Sequence, residues 1–480
     1  MKKNILFLVV VLFLFGCGKK DGSSSSPATS YGPINLEDLP ELAEEYTPLG
    51  LSDKVIVIND IGHAPMDLIS QELTLTFDPS AQTVKGKSVI KFKVKKTGRP
   101  YFELQAPLTT AQLDSATVSV TTIKDPEGQN QSYRSLSKEL TPGAIHQVEF
   151  IYQLPSGRVS FANGGVKFLT DMTDLNGKFF EYWGPVGFEE DTFSLNLNLK
   201  VEDSTSTHKI FTNGTATATG SNTWQVVFPN YFSKSSFYVH LTNLTGLTIK
   251  KLVYKGLDKE IPIEVYGSTS TLVASAVSQL PKLFAELEGD YGAYPHEKFV
   301  AYMNDRSGGM EYVGATITAL GSLDHELLHS WFARSVIPAD GRSGWIDEAM
   351  ASWRDYGYAK ASTLLQRNQT NLANYSPFRK STPSNSYVDG RALMSELDLK
   401  FSSIGGLKPV MKAFFETYKN RVVNNEEFWS YLEEKTNLNL KAFNDRYVMS
   451  EAEEDGQIPP EGDLSKHPDP LTREEILDLR

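Results

Sequence analysis

With only one cysteine, Cys17, in 480 residues, the chain can form no intramolecular disulfide, and its stability must come from packing. A basic surplus is missing too: 47 Lys and Arg stand against 59 Asp and Glu, for a formal charge of −12. Residues 451–480 hold ten acids and three bases and so carry −7 of that charge, which leaves a mildly acidic body. Binding nucleic acid takes clustered Lys and Arg to displace phosphate counterions, and that class is excluded. The apolar run at residues 5–15 is too short to span a bilayer. What remains is ordinary globular composition, 40% hydrophobic and 22% charged, at a length that suits two or three domains.

That short run follows Lys2 and Lys3 and has the length of a signal-peptide core, which predicts export. Leu14-Phe15-Gly16-Cys17 resembles a bacterial lipobox, whose cysteine is acylated and becomes the mature N-terminus. This implies an exported lipoprotein of the cell envelope, held to a membrane through Cys17; the alternative is a plain signal peptide cleaved elsewhere. Residues 1–17 then form the signal and 18–50 a Ser- and Gly-rich flexible tether.

Over residues 51–247 the hydrophobic period is two. Leu73, Leu75 and Phe77 alternate with polar residues, and so do Phe193, Leu195, Leu197 and Leu199. The pattern predicts an all-β saddle or sandwich. From residue 248 a strand pair leads into a helical stripe of Leu272, Ala276, Leu280, Leu283, Phe284 and Leu287, kinked or restarted at Pro281, and short helices follow. Residues 248–450 therefore read as an α/β domain. Residues 451–480 form an acidic tail in which Thr472 and Glu475 could make a capping box.

Two of the eight histidines lie four apart in the stretch SLDHELLHSWF. With Ser322 as N-cap and Pro338 forbidding continuation beyond about Val336, the segment DHELLHSWF is predicted to be helical. On a helix, His325 and His329 are about 40° and one turn apart and can converge on one ion, while Glu326 is angled toward a water on that ion. Catalytic zinc takes three protein ligands and keeps a fourth position open. Glu348, on a second helix with Trp345, Ile346, Ala349 and Trp353 as its buried stripe, stands where a short loop can bring it to the same ion. Burying a carboxylate among such neighbours is costly unless a cation compensates it. One Zn²⁺ per chain is the expectation.

His325-Glu326-Leu327-Leu328-His329 followed by Glu348 within Trp345-Ile346-Asp347-Glu348-Ala349 resembles the gluzincin signature of the aminopeptidase N family. Gly308-Gly309-Met310-Glu311-Tyr312 is similar to its upstream Gly-x-Met-Glu segment, and Tyr387-Val388-Asp389-Gly390 to its Tyr-x-x-Gly. The resemblance implies a multidomain chain, an N-terminal β-saddle followed by a thermolysin-like α/β zincin catalytic domain. It also implies a zinc aminopeptidase: His325, His329 and Glu348 as ligands, Glu326 as general base, and Tyr387 as hydrogen-bond donor to the oxyanion. Gly308, Gly309, Met310 and Glu311 would receive a peptide with a free N-terminus. The formal charges of Zn²⁺, Glu348 and Glu326 cancel, so Glu311 leaves the pocket net negative and suited to an α-ammonium.

Some features depart from the pattern. Thirteen residues separate Glu311 from His325, Asp347 and Ala349 replace the family's Asn and Gly, and the Glu348–Tyr387 interval is short. Larger members add a helical roof that is missing here, which implies a more open cleft. Two alternatives therefore stay open: a zinc endopeptidase of the same fold, and a catalytically weak, lipid-anchored peptide-binding protein.

Overall fold

Alternation of apolar and polar residues decides the first half of the chain. In the computed structural model, which describes residues 55–124, 133–172, 178–305, 308–365 and 367–451, Leu73, Leu75 and Phe77 are fully buried on one face of the strand Asp67–Asp78. That strand pairs antiparallel with Thr83–Lys93 and parallel with Ser194–Val201 at the centre of an eight-stranded sheet. A five-stranded and a four-stranded sheet accompany it. Their inward faces share one large core that also takes in Tyr266, Val300 and Tyr312 from the following segment. The signal segment with Cys17, the tether and the acidic tail lie outside the described residues, apart from Glu451.

A different sheet begins at Thr248. Its order is Thr248–Lys255, Glu260–Gly267, Phe299–Met303, Ala315–Thr318 and Gly309–Tyr312, with parallel pairing at its centre and antiparallel pairing at both edges. The edge strand Gly309–Tyr312 carries the Gly-x-Met-Glu segment. Helix α1 (Ser270–Tyr291) runs through Pro281 without restarting. Its buried face is Val273, Ala276, Leu280, Phe284 and Leu287; Leu272 and Leu283 only flank it. The buried stripe thus begins at Val273, one residue after the expected Leu272.

Helix α2 is Leu323–Leu328 and α3 is Trp345–Asp355. These pack with α4 (Asp389–Lys400), α5 (Leu407–Tyr418) and α6 (Asn425–Thr436) around a second core. All of α3 from Trp345 to Arg354 is buried, where the sequence predicted a stripe. The expected extent of α2 needs correction as well, since it stops at Leu328, short of Phe332, and Ser322 gives it no side-chain cap. After Leu328 the bonds tighten to the three-residue type, Ser330 N–H to Leu327 and Trp331 N–H to Leu328, and Ala333 takes φ +116°. The Trp331 indole N–H then reaches the Gly292 carbonyl at 3.0 Å and pulls the chain away from the helical path.

Candidate metal centre

Although α2 ends at Leu328, His329 keeps helical dihedrals as its C-cap (φ −59°, ψ −14°). The four-residue relation to His325 therefore survives, with ring centroids 4.8 Å apart. Glu348, in the first turn of α3, comes to both rings: its Oε2 is 3.3 Å from His325 Nε2 and 3.6 Å from His329 Nε2. The ligand-capable atoms of the three residues lie within 4.8 Å of one another.

Each imidazole is held from behind. His325 Nδ1 lies 2.7 Å from Asp355 Oδ2, and His329 Nδ1 lies 3.2 Å from the Phe332 carbonyl and 3.3 Å from Asp347 Oδ2. An N–H spent on those acceptors leaves the Nε2 lone pairs for an ion. Two imidazole nitrogens and one carboxylate facing a common point match the donor set of a three-ligand zinc site. The residues present fit the metal.

The electrostatics favour positive charge at this point too. Burial opposes charging His325, yet hydrogen bonds to Asp355 and Glu348 raise its pKa to about 10. Burial also opposes a charge on His329, but Glu311 and Asp347 lift it well above the ordinary value. Against the cost of burial, hydrogen bonds from the two histidines hold the Glu348 carboxyl far below the usual carboxylate range. The Tyr387 hydroxyl donates to Glu348 Oε1 at 2.5 Å, and its ring lies 6.1 Å from that of His325. Burial pushes Glu326 up to about 8.

Glu326 sits directly beneath the edge strand. A Cβ added to Gly309 would fall 2.5 Å from Glu326 Cγ and Cδ, so only glycine lets the strand backbone pass this close. Gly308 precedes it in the left-handed region at φ +76°, and its carbonyl accepts from Ala319 N–H. The Met310 side chain packs into the β-rich core.

Glu311 corrects the charge count made from sequence. Its Oε1 accepts from Arg334 Nη2 at 2.7 Å and its carbonyl accepts from Arg334 Nε at 3.2 Å, with both side chains buried. Arg334 therefore cancels Glu311, and Asp347, beside His329, restores one negative charge to the pocket. Sequence reasoning assigned no role to Arg334, Asp347 or Asp355. Asp355 carried a legible signal: seven residues beyond Glu348, it falls on the same face of α3 two turns on. Arg334 carried none, because its position depends on the turn that ends α2. Glu311, Asp347 and Arg334 share a cleft with about 550 Å³ of empty space, part of it open to solvent.

Sequence comparison finds no matching family model and no similar curated protein. Solved structures do match. A Deinococcus radiodurans M1 zinc metallopeptidase aligns with TM-score 0.60 and 15% identity over 83% of this chain and 97% of its own. Legionella pneumophila aminopeptidase A, solved with aspartic acid, aligns with TM-score 0.62 and 13% identity over 82% of this chain and 50% of its own. Native yeast LTA4 hydrolase aligns with TM-score 0.57 and 11% identity over 79% and 67%. The chain has the fold of the M1 zinc metallopeptidases.

Proposed function

We propose that this chain is a zinc-dependent aminopeptidase that removes N-terminal residues from peptides. The observation that carries the reading is the convergence of His325, His329 and Glu348, each imidazole fixed from behind by an acceptor on Nδ1. Zinc bound there would polarise the scissile carbonyl and lower the pKa of a water. Glu326, a buried carboxyl lifted toward neutral pH, takes the proton of the attacking water and returns it to the leaving amine. Tyr387, already a donor in this pocket, turns its O–H to the developing oxyanion, where the hydrogen bond strengthens in the transition state. The edge strand Gly309–Tyr312 offers its backbone to an extended peptide, and Asp347 supplies negative charge for an α-ammonium that can also donate to the Glu311 carboxylate.

The Arg334–Glu311 pair favours a second reading, internal cleavage, because one oxygen of the expected amine clamp is already taken. Aminoacyl anilides and their N-acetylated versions separate the two. In the aminopeptidase, Glu326→Gln should retain zinc but lose most turnover, and Glu311→Ala should chiefly harm free-amine substrates. Equal cleavage of free and acetylated versions would refute the exopeptidase reading. Export and membrane anchoring through Cys17 are part of the same proposal and rest on residues 1–17 alone; Cys17→Ala should move the protein out of the membrane fraction.

A further inference from the structure

The cleft beside the centre is lined by Lys234, Arg334, Arg379 and Lys380 among its side chains. Three of these cations are neutralised. Arg334 holds Glu311 at 2.7 Å; Lys380 bridges Glu103 at 2.9 Å and Glu181 at 2.7 Å; Lys234 lies 3.8 Å from Glu103 and 4.0 Å from Glu190. Arg379 differs. Its Nε donates to the Ser381 carbonyl at 2.7 Å and its guanidinium carbon stands 4.1 Å over the Tyr375 ring, but among the described residues no carboxylate pairs with it.

Its place is fixed by the backbone. Gly341 N–H donates to the Arg379 carbonyl at 3.0 Å, and a Cβ on Gly341 would fall 2.5 Å from the Ser381 carbonyl oxygen. The segment between the second histidine and Glu348 thus clasps the one that carries Arg379, on the same cleft as Glu311. Phe179 and Phe188 contribute apolar wall. An unmatched guanidinium beside low-dielectric walls concentrates its field on whatever enters, and its planar fork suits a carboxylate.

We propose that the cleft takes substrates bearing a carboxylate and that Arg379 receives it. This rests on the hydrolase reading above and names its substrate class. The carboxylate has two sources: an acidic side chain on the N-terminal residue, or the free C-terminus of a very short peptide. The geometry suits both, since the amine end of the substrate lies at Glu311 and Asp347 on the same cleft.

The zinc-loaded protein is assayed with Glu-Ala-Ala against Gln-Ala-Ala and with Ala-Ala against Ala-Ala amide. One of the two pairs should differ in kcat/KM by at least about tenfold, carried by KM, as a charge-assisted hydrogen bond provides. Which pair differs identifies the source. In Arg379→Gln the carboxylate-bearing member should fall to the level of its neutral twin. Differences below about twofold in both pairs, or a preference that survives Arg379→Gln, would overturn the proposal. Calorimetric titration on wild type and Arg379→Gln with glutamate against glutamine, and with alanine against alaninamide, gives a readout independent of turnover. If no peptide is cut but the carboxylate-bearing member of one pair binds more tightly only when Arg379 is present, the hydrolase reading fails and this one stands; equal binding within both pairs overturns it.

Discussion

The two imidazoles are supported unequally. His325 leans on the carboxylate of Asp355 at 2.7 Å, a side chain that can be changed, whereas His329 has the Phe332 carbonyl at 3.2 Å in addition to Asp347. An acceptor behind a metal-bound histidine fixes its tautomer and raises its basicity, and its loss costs about 10–100-fold in metal affinity. Asp355→Asn keeps the size and one acceptor oxygen but removes the charge. Zinc affinity, measured by competition with a chromogenic chelator, should fall about tenfold in this variant, with the folded state intact by circular dichroism. Unchanged affinity would show that His325 needs no charged support. Arg354 bonds Glu286 of α1 and Asp324 of α2, and those contacts would keep the helix ends together in the variant.

At the scale of elements, the site depends on how closely a strand passes a helix. The edge strand crosses Glu326 at Gly309 with no room for a Cβ. Gly309→Ala should therefore push either the strand or the Glu326 side chain aside. Because the ligands lie elsewhere, zinc content should stay at one per chain while kcat falls by about two orders of magnitude or more, the scale of a misplaced general base; full activity would mean that the strand yields freely.

The same pair of elements shows what was legible beforehand. The relation of His325 to His329 follows from local helical geometry, and it holds even though α2 is only six residues long. Alternation likewise placed the strands carrying Leu73, Leu75 and Phe77. Where α2 ends was not legible, because the Trp331 bond to Gly292 is tertiary and propensity alone would have continued the helix. Arg334 stayed invisible for the same reason: on a continuing helix it would not have met Glu311.

Across the whole molecule, the composition change near residue 247 is a seam crossed by buried aromatic rings. Tyr266 of the second-half sheet stacks on Phe211 at 3.6 Å and bonds the hydroxyl of Tyr238, and His240 Nδ1 lies 3.0 Å from the Tyr266 hydroxyl. Burial lowers the His240 pKa to about 4 from an ordinary 6.5. Above pH 6.5 the imidazole is neutral in both the folded and the unfolded chain and has no effect on stability. Between pH 6.5 and 4 the unfolded chain binds a proton that the folded chain refuses, so stability falls as pH drops through that window. At about 1.4 kcal/mol per pH unit, the full loss is about 3 kcal/mol. Carboxylates paired elsewhere also weaken in acid, so only a comparison isolates this residue. Urea denaturation of wild type and His240→Gln at pH 7 and pH 4 should show a smaller drop in the variant, by up to about 3 kcal/mol. Parallel losses in the two proteins would mean that the acid sensitivity arises from those carboxylates and that His240 takes no part in it.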